Sequence, residues 1–192
     1  MRRSGGAGKM AVPVNFRIQL TMTTQMINKA LAGVALAFLL AACGSTSVVK
    51  QPVAAMPATS SYSVGTLTNA TPKDGDQPPE TFMSTLQGHV RSELGKEGRL
   101  AAAGAAASAQ VDVKVTSYRM RSAFSRLMWG ILAGKDGVDS EVTIKDAMTG
   151  EVLGSSTVTS YNATTIVGED GVARMHGQEI AKFVLNKGGT VK

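Results

Sequence analysis

The chain has one cysteine, Cys43, in the stretch Leu40-Ala41-Ala42-Cys43-Gly44. No second thiol is present to pair with it, so an internal disulfide is excluded. What stands before it points to processing. A secretory signal needs a positive start, an apolar stretch of roughly 7–15 residues and small residues at the cut. Lys29 supplies the charge, Ala30 to Leu40 the apolar stretch, and Ala41-Ala42 the small pair, with polar Gly44-Ser45-Thr46-Ser47 following. The apolar run falls short of the roughly 20 residues that a spanning helix needs.

Leu-Ala-Ala-Cys in that position resembles the lipobox of bacterial lipoproteins. The resemblance implies diacylglycerol on the Cys43 sulfur, cleavage between Ala42 and Cys43, and acylation of the new amine. One acyl chain holds a protein to a bilayer only marginally, whereas two or more anchor it stably. Gly44, not an acidic residue, follows the cysteine, which in such lipoproteins implies export to the outer membrane, facing the periplasm. The plainer alternatives are an ordinary signal peptide with a cysteine just past the cut, or a buried core thiol.

Other chemistry-bearing residues are sparse. His89 and His176 are the only histidines; each falls in an expected helix, with no cysteine or carboxylate at ligand spacing. Asp136, Asp139, Glu141 and Asp146 lack the glycine and ligand order of a calcium loop. Gly130-Ile-Leu-Ala-Gly134-Lys135-Asp136 approaches a phosphate-binding P-loop. It is one residue short, and it puts Asp136 where a magnesium-binding hydroxyl belongs. No nucleophile with an activating base is evident. The expectation is no enzyme, no cofactor and no metal.

Charge depends on which residues survive. The whole chain is +6, but Arg2, Arg3, Lys9, Arg17 and Lys29 all precede Cys43 and no acidic residue does. From Cys43 to Lys192 the net charge is about +1, which removes the electrostatic case for a nucleic-acid partner. Met1 to Thr21 has no apolar periodicity, and Met22 or Met26 would each open a signal of ordinary length. The expected organisation is therefore a mis-assigned extension over 1–21, a lipoprotein signal peptide over 22–42, lipidated Cys43 with a flexible tether over 43–61, and one α/β domain over 62–192.

Within that domain, Tyr62–Asn69 reads as a first strand and Thr71–Pro79 as an exposed loop. Phe82, Met83, Leu86, Val90 and Leu94 share one face of a helix over 80–97. Leu100 to Gln110 is alanine-rich and either prolongs that helix or connects loosely. Val111, Val113 and Val115 alternate with polar residues, a half-buried strand. Strands over 138–147 and 151–161 flank a hairpin turn at Asp146–Gly150, and a last helix runs over 171–186 until Gly188-Gly189. The fold class expected is α/β (α+β), a small mixed β-sheet of about four strands with helices packed on one face.

The run from Phe124 to Ala133 is apolar nearly all round if helical. Such a helix must be buried by something: its own core, a partner or a membrane. Phe124, Leu127, Met128, Trp129, Ile131 and Leu132 are the candidate interaction surface, with Arg119, Arg121 and Arg126 beside them.

Tyr118-Arg-Met-Arg-Ser122, Gly130–Gly134 before a strand, Asp146-Ala-Met-Thr-Gly150-Glu-Val-Leu153 and Ala173-Arg-Met-His-Gly177 resemble an uncharacterised bacterial lipoprotein family, a domain of unknown function. That family has no assigned activity, so no catalytic residue is carried over. The plan of anchor, tether and domain implies an accessory or scaffold lipoprotein of the envelope, held to the membrane by lipid and binding another envelope protein. The alternative is a self-assembling subunit of a pore or secretion ring, a homo-oligomer built through residues 124–133.

Overall fold

Among the described residues, strand structure begins at the cysteine. The computed structural model describes residues 43–122, 124, 128–129, 134–162, 167–187 and 190–191, and its first element is β1 (Cys43–Gln51). The stretch 43–61, expected as a flexible tether, is thus sheet over its first nine residues. β1 runs antiparallel to β6 (Val152–Asn162), from Cys43 opposite Asn162 to Gln51 opposite Ser155. Its polar composition hid this. Ser45, Ser47 and Val49 alternate with outward residues, Ser47 and Val49 are buried, and the serine hydroxyls are small enough to enter the interior and find partners there. Residues 52–61 form no regular element, yet Val53 and Met56 pack on the core and Ser60 is buried.

The first expected strand divides into β2 (Tyr62–Val64) and β3 (Thr68–Asn69). Both run parallel to β4 (Ala109–Arg119). β4 pairs antiparallel with β5 (Asp136–Asp146), and β5 with β6. A short β7 (Thr190–Val191) lies parallel to β1. The order is β2-β4-β5-β6-β1-β7, with β3 also on β4, so among the described residues the mixed sheet has seven strands rather than about four. The β5–β6 hairpin turns where expected. Asp146 Oδ1 accepts backbone N–H bonds from Met148 and Thr149, at 2.9 and 2.8 Å. Gly150 takes the φ of 73° that closes the turn.

Helices α1 (Glu80–Lys96) and α2 (Glu169–Val184) cover one face of the sheet. Phe82, Leu86, Val90 and Leu94 form the buried stripe of α1, meeting the inward valines of β4 and β5. Leu100–Gln110 does not prolong α1. Gly98, at φ 64°, ends it, and Arg99 donates its backbone N–H to Leu94 five residues back, at 2.9 Å. α2 ends the same way on Asn186, at φ 55°, with Lys187 donating to Lys182 at 2.8 Å. It therefore stops before Gly188-Gly189, which lie outside the described residues. The helices touch closely where Gly177 meets α1: a Cβ there would stand 2.8 Å from His89 Cβ. Among the described residues, no helix is long and apolar enough to cross a membrane.

Candidate functional site

Three residues make a row across one end of the sheet. Cys43 pairs with Asn162, and Asn162 with Asp136. Arg119 closes β4 one pair away, opposite Gly137. Just past β4, Arg121 turns into this row. Its backbone N–H and its Nε both donate to Asp136 Oδ1, at 2.7 and 3.1 Å, and its Nη2 donates to Asp136 Oδ2 and to the Asn162 carbonyl. Both partners are buried. The Asn162 amide in turn donates to the Val167 carbonyl at 2.7 Å. A buried ion pair keeps its charges only with such complete hydrogen bonding, and this one ties together the ends of β4, β5 and β6.

Between Arg121 and Asp136 lies the apolar segment. Phe124, Met128 and Trp129 have helical backbone and are 69, 60 and 63% exposed. They are not part of the chain's own core, which excludes the simple core-helix reading for these three. Leu127, Ile131 and Leu132, expected beside them, lie outside the described residues, as does Ala42. Lys135 is exposed at the segment's far end, with its Nζ 4.6 Å from the centre of the Tyr161 ring. Gly134 and Lys135 lead straight into β5 and not into the helix that a P-loop opens; residues 130–133 lie outside the described residues.

Sequence reasoning missed a second cluster, beneath α2. His176 is fully buried. One ring nitrogen, Nε2, is 2.8 Å from Ser140 Oγ on β5, and the other, Nδ1, is 2.9 Å from Ser160 Oγ on β6. Ser160 Oγ is 2.6 Å from Ser45 Oγ on β1. Burial pushes the His176 pKa down to about 3, so the ring is neutral, donating to one serine and accepting from the other. Ser140 and His176 stand at nucleophile–base distance. Both are wholly buried, however, and the second ring nitrogen faces a serine instead of an orienting carboxylate. The cluster fastens α2 to three strands. Nearby, Ser47 donates to the buried Glu179 at 2.9 Å, and Lys182 bonds the other carboxylate oxygen. The readable signal was serine at inward strand positions that would otherwise take valine.

Several other titratable groups pair at the surface. His89 Nε2 is 3.2 Å from Asp170. On the open face of the sheet, Glu141 lies between Lys50 and Lys114, and Lys145 meets Asp112 at 2.8 Å. The Lys50 hydrogen bond and the two lysine charges hold the Glu141 pKa below its usual value. Among the described residues, no group of three histidine, cysteine or carboxylate side chains is placed to hold a metal.

Residues 50–165 match the family model DUF4410, a domain of unknown function. No curated protein matches the chain. Among solved structures it is similar to the PelC dodecamer from Paraburkholderia phytofirmans, at 18% identity and a TM-score of 0.53, over 77% of this chain and 99% of that one. That likeness is one of fold. A Xanthomonas campestris protein of the family model DUF330 aligns at 13% identity and TM-score 0.48, over 73% of this chain and 94% of that one. Lipoprotein GNA1162 from Neisseria meningitidis aligns at 14% and 0.28, over 52% and 81%. These two are too distant to carry an argument.

Proposed function

The chain belongs to the DUF4410 family, and from that premise we propose that it is a lipid-anchored, non-catalytic accessory protein of the bacterial envelope. Cys43 is the attachment point, after cleavage from Ala42. The domain faces the periplasm from the outer membrane and serves as a scaffold for another envelope protein. Its contact surface toward the rest of the envelope is the segment of Phe124, Met128 and Trp129, continued in sequence by Leu127, Ile131 and Leu132. The observation that carries this reading is the exposure of three large apolar side chains on a domain whose buried Arg121, Asp136 and His176 are engaged internally. A contiguous exposed apolar patch marks a contact site more often than a reaction centre.

One observation favours a second reading. The PelC structure of similar fold is a dodecamer, so a self-assembling ring or pore subunit would use the apolar segment 124–133 against its neighbour. Native mass after gentle extraction from membranes separates the two, followed by the mass after dissociation. A dissociated chain that begins at a triacylated Cys43, released as a single copy, alone or with a foreign protein, is the expected result. A closed homo-oligomer would replace the first reading with the second. A chain that begins elsewhere, or carries no lipid, would overturn both.

A further inference from the structure

β1 and β6 pair without a turn to align them. Ser45 and Ser160 stand 115 residues apart in the chain, so no hairpin loop fixes their register as Asp146–Gly150 does for β5 and β6. Hydrophobic pattern does not fix it either. β1 reads Cys-Gly-Ser-Thr-Ser-Val-Val-Lys-Gln, and among the described residues Val49 is its one buried apolar side chain. Facing it, β6 is a run of serine and threonine around Val158. Strands of that composition are prone to slip, yet the pairing from Cys43–Asn162 to Val49–Ser156 is regular.

What distinguishes one position of β1 from the next is polar, and it comes from α2. Ser47 donates to Glu179 Oε1 at 2.9 Å. Ser45 Oγ meets Ser160 Oγ at 2.6 Å, and that hydroxyl is held by His176 Nδ1 at 2.9 Å. Glu179 and His176 are one turn apart on α2 and both are buried. Val49 follows in the core. Along its inward face β1 thus presents serine, serine and valine to a hydroxyl, a carboxylate and the core. Sliding it two residues one way brings Val49 to Glu179, and a buried carboxylate loses its hydroxyl donor. Sliding it two the other way puts the Ser47 hydroxyl into the apolar place of Val49. Sliding it by one turns all three to the open face. An unsatisfied buried polar group costs enough to decide between such registers.

We infer that α2 sets the register of β1, Glu179 through Ser47 and His176 through Ser160 and Ser45. The same bonds fix where Cys43 stands on the sheet, since a slip of two residues would carry it about 7 Å along the strand. On the anchored reading that is a displacement of the anchor; the inference itself does not depend on that reading.

Residues 42–192 form a compact unit by themselves, so the test uses residues 43–192 with Cys43→Ser, which removes the only thiol. Thr46 faces Thr159 on the open face of the sheet, and Thr46→Cys with Thr159→Cys should oxidise to a bridge. Thr157 is diagonal to Thr46 and too far to bridge until β1 slips by two. In this background Ser47→Val should slip the strand. Ser45 then reaches Glu179, the introduced valine fills the place of Val49, and the hydroxyl introduced at position 43 reaches Ser160. Bridging should move on the order of tenfold or more from Thr159→Cys to Thr157→Cys. Adding Glu179→Leu should return it, because the valine then faces an apolar side chain in the original register. Ser47→Thr, which keeps the hydroxyl, should not slip. A Ser47→Val chain that bridges only through Thr159→Cys would overturn the proposal, and so would one that stays slipped after Glu179→Leu. If Ser47→Val does not fold unaided, the two bridged forms compare the registers directly. The Thr157→Cys bridge should then give the higher urea midpoint, and a higher midpoint for the Thr159→Cys bridge would overturn the proposal.

Discussion

Arg121 holds Asp136 with both its backbone N–H, at 2.7 Å, and its guanidinium, at 3.1 Å to the same oxygen. Because both residues are buried, removing one partner should be far worse than exchanging a surface pair. Asp136→Ala, which leaves the guanidinium buried without its carboxylate, should cost about 3–5 kcal/mol in urea denaturation. Asp136→Asn keeps an acceptor for the backbone N–H and should cost less. Equal losses for the two would show that the charge contributes nothing.

His176 makes stability depend on pH in a defined direction. Its folded pKa, about 3, lies below the value of roughly 6.5 expected in the unfolded chain. Between these values the unfolded chain binds a proton that the folded one refuses. The contribution is therefore complete above about pH 6.5 and is lost as pH falls toward 3, with a slope of ~1.4 kcal/mol per pH unit. Urea midpoints measured from pH 7 to 4 should follow that slope, and His176→Gln should flatten this component of the profile. An unchanged slope in the variant would place the titration elsewhere.

Two helical glycines should respond in opposite senses. Gly177→Ala drives a methyl group against His89 Cβ, 2.8 Å away, and against the α1 backbone at Val90 N, 3.2 Å away. The helices must part, at a cost of about 1–3 kcal/mol. Gly88 is exposed on α1, and a Cβ there meets nothing within 4 Å. Gly88→Ala should stabilise by about 0.5–1 kcal/mol through helix propensity alone. Thermal melts of the two variants should move to either side of the wild type.

Trp129→Ser should leave the fold alone. Its side chain is exposed, so the unfolding free energy should stay within about 0.5 kcal/mol of wild type. A loss of 2 kcal/mol or more, on the scale set by core truncations, would mean that the ring packs inside the domain.

Where the apolar pattern was strong, the fold was legible. The four-residue spacing of Phe82, Leu86, Val90 and Leu94 marked α1, and Val111, Val113 and Val115 marked β4. β1 was not legible, because Ser45 and Ser47 look like solvent-facing residues until Ser160 and Glu179 are seen opposite them. The same blindness hid the buried cluster. A serine reads as polar in any window of sequence, and only tertiary pairing shows that its hydroxyl is satisfied inside. The pairing of Arg121 with Asp136 escaped notice because they are fifteen residues apart with the apolar segment between them. That segment was conspicuous from composition, but its exposure depended on whether the core beneath was already full.

The pairing of β1 with β6 also sets an order of events. Ser47 finds its buried partner, Glu179, 132 residues later in the chain. A polypeptide threaded through a membrane N-terminus first would have to hold β1 open until nearly all of the domain had crossed. The contact order of that closure is high, and folding slows as contacts become more distant in sequence. Meanwhile β1 itself would stay unpaired, the kind of template on which chains exchange strands or aggregate. The first strand to cross would be the last to be sealed, so a domain exported in that order would be most vulnerable to its own copies just before its C-terminal half arrives.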